Sequence, residues 1–471
     1  MPQYFISSKV KICYIFAMRK SKLSLFVVLL LVLAFFSIVF ARGTIFLQQK
    51  QAIPELTSLE SQNLESILDM KYEIQRDYIH PLPYPTIPKQ MELASLSAIL
   101  INAETGDILF EKDASRVIPP ASMVKLFLMY TIFKQVEQGR ISLSDIVPLP
   151  DECLACNMPP ESSLMFLGKN QIVTVEELLL GLSISSGNDA AYALALYTFG
   201  SMENFLAEVN REIKELKLYN THIEEPSGYS EKNTTTAREM AIFCRIYINS
   251  FPESLTYFHS IKKNVYPKQK NIAPEDRGKQ AQNFANGIPY HIWTPIESEN
   301  TNKLLWTLEG CDGIKTGHIR ESGYNLALTT QRNGIRYISI TMLGPGKNLR
   351  EGNYNRITDG TKLHEWAFAS FNQTASFTGK ITIPALGTKE MFVNLVPAFS
   401  TKFAFPATCK DLSIQIEVPK VISSEIVAGK EYGNIVYYYG QTLCKIPLVA
   451  DRNLTTSKFF AFTDFFIDLV L

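Results

Sequence analysis

Three short patterns carry side chains that can do chemistry. Ser122 and Lys125 sit three residues apart at the head of an apolar run, Ala121 to Tyr130. On a helix that spacing sends both side chains from one face. A serine hydroxyl is a poor nucleophile until a base takes its proton, and a lysine desolvated by apolar neighbours can lose enough basicity to be that base. Ser186, Gly187 and Asn188 fall in a polar turn between two apolar stretches and offer a hydroxyl and a carboxamide at fixed separation. Lys315, Thr316 and Gly317 lie on a strand-like segment, where a cation, a hydroxyl and free backbone N–H groups would meet an extended peptide. Together they suit acyl transfer through a serine ester. Each alone has an ordinary reading: a helix start with a snorkelling lysine, a helix–helix turn capped by glycine, a surface strand with a lysine.

Those residues need elements to hold them. Leu96–Ile101 and Ile108–Phe110, around Thr105-Gly106-Asp107, read as a hairpin. Pro119-Pro120 then opens the helix that carries Ser122 and Lys125. Thr174 and Glu177 stand at capping-box spacing and start the helix that runs into Ser186. Residues 312–318, 322–330 and 337–343 read as neighbouring antiparallel strands, with Lys315 and Thr316 on an edge strand.

S-x-x-K, then S-x-N, then K-T-G, in that order, is the set found in class A β-lactamases and penicillin-binding proteins. Residues from about Ala94 to Phe371 resemble the low-molecular-mass penicillin-binding proteins, the serine D-alanyl-D-alanine carboxypeptidase family of the bacterial envelope. The matching text is Pro120–Lys125, Ser162–Leu167, Ser186–Ala190, Thr235–Ala241, Asn302–Trp306 and Asp312–His318. The resemblance implies an α/β (α+β) transpeptidase fold of the penicillin-binding/β-lactamase-like kind. An antiparallel sheet and a helical subdomain would hold the site between them, and a small all-β domain would follow. It implies removal of the terminal D-alanine from peptidoglycan stem pentapeptides through an acyl-enzyme on Ser122, with Lys125 as base and Ser186 as proton relay. Asn188, Lys315, Thr316, Gly317, His318 and Arg350 would bind substrate, Thr316 and Arg350 at its terminal carboxylate. Backbone N–H groups of Ser122 and His318 would form the oxyanion hole. The implied partners are stem peptides and, as covalent inhibitors, β-lactam antibiotics; no cofactor and no metal is required.

The chain departs from that pattern at Glu225-Pro226-Ser227-Gly228, where relatives carry Asn or Asp before the proline. Glu224 and Glu225 also follow Asn188 at a distance that suits the deacylating glutamate of a class A-like β-lactamase. That reading, a DD-endopeptidase and an inactive envelope scaffold binding peptide termini are the alternatives.

At 471 residues, the chain calls for two or three units, and its 46 basic and 46 acidic residues leave no global field to attract nucleic acid. Residues 1–22 are basic, and 23–41 are free of charge and span ~28 Å as a helix, enough for a membrane anchor or a signal peptide. The positive flank is expected to place everything beyond Arg42 outside the cytoplasmic membrane, which the resemblance puts on the periplasmic side of a bacterial envelope. Residues 42–92, proline-rich near the end, are expected as a stalk, and 93–372 as the catalytic domain. Residues 376–455 read as a β-sandwich, in which Val427–Gly433 resembles the β-domain that follows the catalytic domain in many of these carboxypeptidases. Residues 456–471 read as an amphipathic helix with Asp464 and Asp468 on it. Seven cysteines are too few for a disulfide scaffold. Cys153 and Cys156 lack the second ligand pair of a zinc site, leaving a local disulfide or two small loop residues, and a Cys409–Cys444 bridge stays open.

Overall fold

The computed structural model describes residues 8–48, 53–279, 287–377, 379–409 and 411–468. The chain divides into a central unit, Ile74–Ala375 with Lys402–Lys410, and a terminal unit, Met1–Glu73 with Ser376–Thr401 and Asp411–Leu471. Two helices come first, α1 (Ser8–Gln48) and α2 (Ser58–Arg76). Within α1, Ser24–Gln48 is long and apolar enough to cross a membrane, and its 18-residue apolar window is unburied; it is a signal or anchor helix by length and composition.

The central unit starts earlier than expected, inside the presumed stalk, with β1 (His80–Pro81). The hairpin follows as β2 (Ser97–Asn102) and β3 (Asp107–Lys112), with Gly106 at φ +85° in the turn, a conformation glycine adopts without strain. Then come α3 (Lys125–Glu137), the short pair β4 (Ile146–Val147) and β5 (Val173–Thr174), and four helices: α4 (Val175–Ile184), α5 (Asn188–Phe199), α6 (Met202–Glu215) and α7 (Ala237–Ser250). The Thr174–Glu177 capping box forms at the head of α4. The polar stretch between the motifs contributes a second short pair, β6 (Lys263–Tyr266) with β7 (Ile296–Glu299), before the one-turn α8 (Leu304–Thr307). The unit continues with β8 (Cys311–Ile319), β9 (Gly323–Arg332), β10 (Ile335–Gly344) and the long α9 (Leu349–Ser370).

Six strands form the central sheet in the order β1-β3-β2-β10-β9-β8. Its pairings are antiparallel except at β1, which runs parallel to β3 with His80 opposite Asp107. The sheet is therefore mixed, because an edge strand was added from the residues before the hairpin; Pro81 has no N–H to donate, which suits an edge position. All six residues of β2 are buried, and period-2 alternation assigns their faces. Ala98 and Leu100 pack with Leu363 and Ala367 of α9, while Ile99 and Ile101 join the core of α3 and α7. Helices on both faces explain why β2 reads as a continuous apolar run.

After α9 the strands are β11 (Phe371–Gln373), β12 (Ile381–Pro384), β13 (Phe392–Pro397), β14 (Ala404–Pro406), β15 (Ser413–Glu417), β16 (Glu431–Tyr439) and β17 (Gln441–Ala450), and then α10 (Lys458–Asp468). β11 and β14 pair within the central unit. The other five make one antiparallel sheet, order β12-β13-β17-β16-β15. Among the described residues no second sheet packs on it, so the all-β region is not the sandwich expected. Its apolar surface is covered by helices instead: Leu64 and Leu68 of α2 pack with Val449, and Ile467 of α10 packs with Met391 and Phe392. Among the described residues no disulfide joins Cys153, Cys156, Cys244, Cys311, Cys409 or Cys444.

Candidate functional site

Ser122 lies in a 3-10 turn, Ala121–Val124, that leads into α3, with Lys125 as the first residue of that helix. Lys125 is fully buried, and its Nζ donates to Ser122 Oγ at 3.0 Å, to Asn188 Oδ1 at 2.8 Å and to the carbonyl of Ser227. Ser122 Oγ donates to the same carbonyl at 3.3 Å. Burial pulls the lysine down to about 7, although Glu225 and Asp189 oppose it. Three donated bonds describe the ammonium; at a value near 7 a proton is readily lost, and the amine then left is within hydrogen-bond reach of the Ser122 hydroxyl, as a general base must be.

Backbone closes on that turn from two sides. A Cβ at Gly228 would sit 2.1 Å from Ala121 O, and one at Gly317 would sit 2.6 Å from Pro120 O and 3.2 Å from Ser122 N. Ala121, just before the serine, has φ +52° and Ser186 has φ +58°. Non-glycine residues enter this region at a cost of ~1–3 kcal/mol, and they cluster where a site demands it.

Ser186 closes the turn between α4 and α5, and its hydroxyl accepts from Lys315 Nζ at 2.9 Å. Asn188 opens α5 and bridges Lys125 to Ser162 Oγ, the latter at 3.1 Å. The next residue explains why the turn holds. The Asp189 carboxylate is fully buried and accepts the N–H groups of Met165 at 2.8 Å, Leu167 at 2.9 Å and Ala190 at 2.9 Å. It ties the 162–167 segment to the start of α5.

Lys315 and Thr316 lie on β8, an edge strand. Lys315 is held well below its ordinary value, by burial first and then by Lys125 and Arg356. Thr316 Oγ1 donates to Thr301 Oγ1 at 2.7 Å. His318 is exposed at the cleft and its ring stacks on Tyr324 at 4.1 Å. An open cleft of about 1060 Å³ runs past Ser122, Ser163, Asn188, Tyr229, His318 and Tyr324.

Ser122, Asn188 and His318 line that cleft, Lys125 bonds to the first two, and Ser186 and Lys315 form a hydrogen-bonded pair, with Thr316 and Gly317 next along β8. Arg350 does not join them; it lies exposed in the first turn of α9. Arg320 lines the cleft, and a second guanidinium, Arg356, stands six residues beyond Arg350 on α9. It is buried, its charge is felt by Lys315, and it lies 5.8 Å over the Tyr324 ring. Burial lowers it to about 10, and among the described residues no carboxylate pairs with it. Gly352, Arg356, Asp359, Gly360, Leu363, His364 and Ala367 form the buried stripe of α9, and Arg350 falls off it.

The 224–230 loop also answers the departure noted at Glu225. Its carboxylate accepts from Ser227 N at 2.7 Å, Ser227 Oγ at 2.6 Å, Asn233 Nδ2 at 2.8 Å and Ser230 N at 3.2 Å. Glu225 therefore builds the loop whose Ser227 carbonyl meets Lys125 and Ser122, while Glu224 is exposed beside His222 and Lys232.

Residues 85–346 match the family described as D-alanyl-D-alanine carboxypeptidase. The chain is 27% identical over 373 residues to D-alanyl-D-alanine carboxypeptidase DacF of Bacillus subtilis, covering 78% of this chain and 87% of the relative. It is 30% identical over 283 residues to DacA, a D-alanyl-D-alanine carboxypeptidase of Haemophilus influenzae, covering 59% of this chain and 63% of that relative. Among solved structures, penicillin binding protein 5 of Haemophilus influenzae superposes with a TM-score of 0.63 at 26% identity, covering 79% of this chain and all of the other.

Proposed function

We propose, from the premise that this chain belongs to the D-alanyl-D-alanine carboxypeptidase family, that it removes the terminal D-alanine from peptidoglycan stem peptides outside the cytoplasmic membrane. The observation that carries the reading is the buried Lys125, poised near neutrality and 3.0 Å from Ser122 Oγ. Lys125 takes the hydroxyl proton as Ser122 attacks the carbonyl between the two D-alanines. The oxyanion is met by the N–H groups of Ser122 and His318, a placement supported by the close approach of Gly317 to Ser122 N. Ser186, paired with Lys315, relays the proton taken by Lys125 to the departing amine, and water then cleaves the ester on Ser122, restoring its hydroxyl and freeing the shortened peptide.

The free carboxylate of the peptide is recognised by Thr316 and Arg356. A buried guanidinium without a carboxylate partner is completed by an anionic ligand, which favours a peptide end over a mid-chain bond. Arg356 replaces Arg350 in this role. A β-lactam ring with its own carboxylate fits the same constellation and acylates Ser122. Against a dedicated β-lactamase stands the engagement of Glu225, whose carboxylate is taken up by four loop donors. The assay is D-alanine release from a peptide ending in D-Ala-D-Ala, alongside Ser122→Ala and Lys125→Ala. Release abolished by both substitutions supports the reading. A folded protein that is labelled by penicillin yet releases no D-alanine would redirect it to cross-linked peptides, and rapid turnover of penicillin would favour the β-lactamase.

A further inference from the structure

The N-terminal helix does not stop where a leader would be removed. The bond after Ala41 lies inside continuous helix, and Arg42 beside it is buried. Its guanidinium grips Asp464 of α10 bidentately, Nε to Oδ1 at 2.7 Å and Nη2 to Oδ2 at 2.6 Å, and donates to Thr388 O at 2.7 Å. It also lies 4.4 Å over the Phe460 ring. Asp464 is 1% exposed and accepts from Gly387 N at 2.8 Å. Such a pair is stable only while both partners are present, since either charge alone in that setting is severely penalised.

The contact extends toward the membrane. Phe35 meets Phe462 at 5.4 Å and Phe466 at 5.8 Å between ring centroids. Phe35 lies inside the Ser24–Gln48 apolar window, seven residues or ~10 Å of helix below Arg42. When α1 spans a bilayer, α10 is therefore carried to the level of the lipid. Its outward residues there are Phe459, Phe462 and Phe465, at 49%, 58% and 59% exposure, and Phe36 and Phe40 of α1 are likewise bare, at 58% and 79%. Asp464 points the other way, into the pair with Arg42, while the side chain of Asp468 lies outside the described residues. Aromatic rings at that height are the usual occupants of a membrane interface.

We propose that α1 is retained in the working protein and that α1 and α10, locked by Arg42 and Asp464, form one membrane foot whose phenylalanine face lies in the outer lipid interface. The inference rests on the terminal unit alone and is independent of the reaction. Hydrogen-bonded helical backbone at Ala41 and Arg42 opposes cutting there once the pair with Asp464 has formed.

Three measurements on the full-length chain test it. The intact mass of the membrane-extracted protein is expected to include the residues before Gly43, and a mass lacking them overturns retention. A Phe35→Cys/Phe462→Cys variant is expected to be joined by a short bis-thiol cross-linker, located by digestion and mass spectrometry, and to lose about tenfold or more of its yield when Arg42→Asp or Asp464→Arg is added. The two reversals together should restore it. Restoration separates a broken lock from a misfolded chain, and a cross-link indifferent to the charges, or absent, overturns the lock. In phosphatidylcholine–phosphatidylglycerol vesicles with brominated acyl chains, the fluorescence added by Phe465→Trp is expected to be quenched. Unquenched emission overturns the placement in lipid.

Discussion

The acylation rate should carry the signature of a lysine near neutrality. At an ordinary value of 10.5, about one lysine in three thousand is neutral at pH 7; at about 7 it is about half. Burial thus supplies roughly a thousandfold more free base at that pH. The second-order rate of labelling by a fluorescent penicillin, measured from pH 5 to 10 at constant ionic strength, should fall about tenfold per pH unit below ~6 and level off above ~8. Lys125→Arg, whose guanidinium keeps its proton, should lose ~10³-fold and show no such limb. The same burial has a stability consequence with a fixed sign. Between about 7 and 10.5 the unfolded chain binds a proton that the folded chain does not, so stability from this residue rises with pH across that window and is missing below it. The full span corresponds to ~5 kcal/mol. Lys125→Met should therefore raise the thermal midpoint more at pH 6 than at pH 9, by calorimetry. A labelling profile that is flat from pH 5 to 9, or still climbing steeply at pH 9.5, would refute the reasoning.

Other outcomes follow from the same geometry. Arg356→Gln should lower kcat/KM for D-Ala-D-Ala peptides about tenfold to a hundredfold, the worth of a charge-assisted hydrogen bond of ~1.5–3 kcal/mol, while Arg350→Gln should change it less than about threefold. Equal effects would return the carboxylate site to Arg350. Glu225→Gln removes a charge that raises Lys125, so the ascending limb of penicillin labelling should move to lower pH, and a move to higher pH would contradict it. Gly228→Ala puts a methyl 2.1 Å from Ala121 O at φ +78°; labelling should collapse with a loss of ~2 kcal/mol or more in denaturant titrations. Wild-type labelling in that variant would show that the turn around Ser122 has slack.

What could be read from sequence was local. Ser122 with Lys125, and Ser186 with Asn188, each sit within a turn of one another, so short-range geometry brings them together once the helix start is recognised. Thr174 and Glu177 were legible for the same reason. The Ser227 carbonyl was not, because any residue has one and only the fold aims it. Arg350 was read from its place at a helix start, and Arg356 was not considered; burial along the helix, which spacing alone does not show, puts Arg356 on the covered stripe and leaves Arg350 exposed. The β-sandwich reading failed on long-range packing. Alternating strands announce a sheet with a buried face, but they do not say whether the cover is a second sheet or, as here, helices from the two ends of the chain.

The two glycines that press on the Ser122 turn have a bearing on resistance. At Gly228 and Gly317 the wall beside the nucleophile is peptide backbone, and even a methyl group would collide with Pro120 or Ala121. An inhibitor that gains its affinity from those peptide groups would face a surface that mutation cannot redraw without dislodging Ser122. Escape would have to come from the periphery of the cleft, at Tyr229, Arg320 or Leu349, where side chains do form the wall. Selection for resistant variants under such a compound should therefore enrich changes at the rim and leave both glycines untouched.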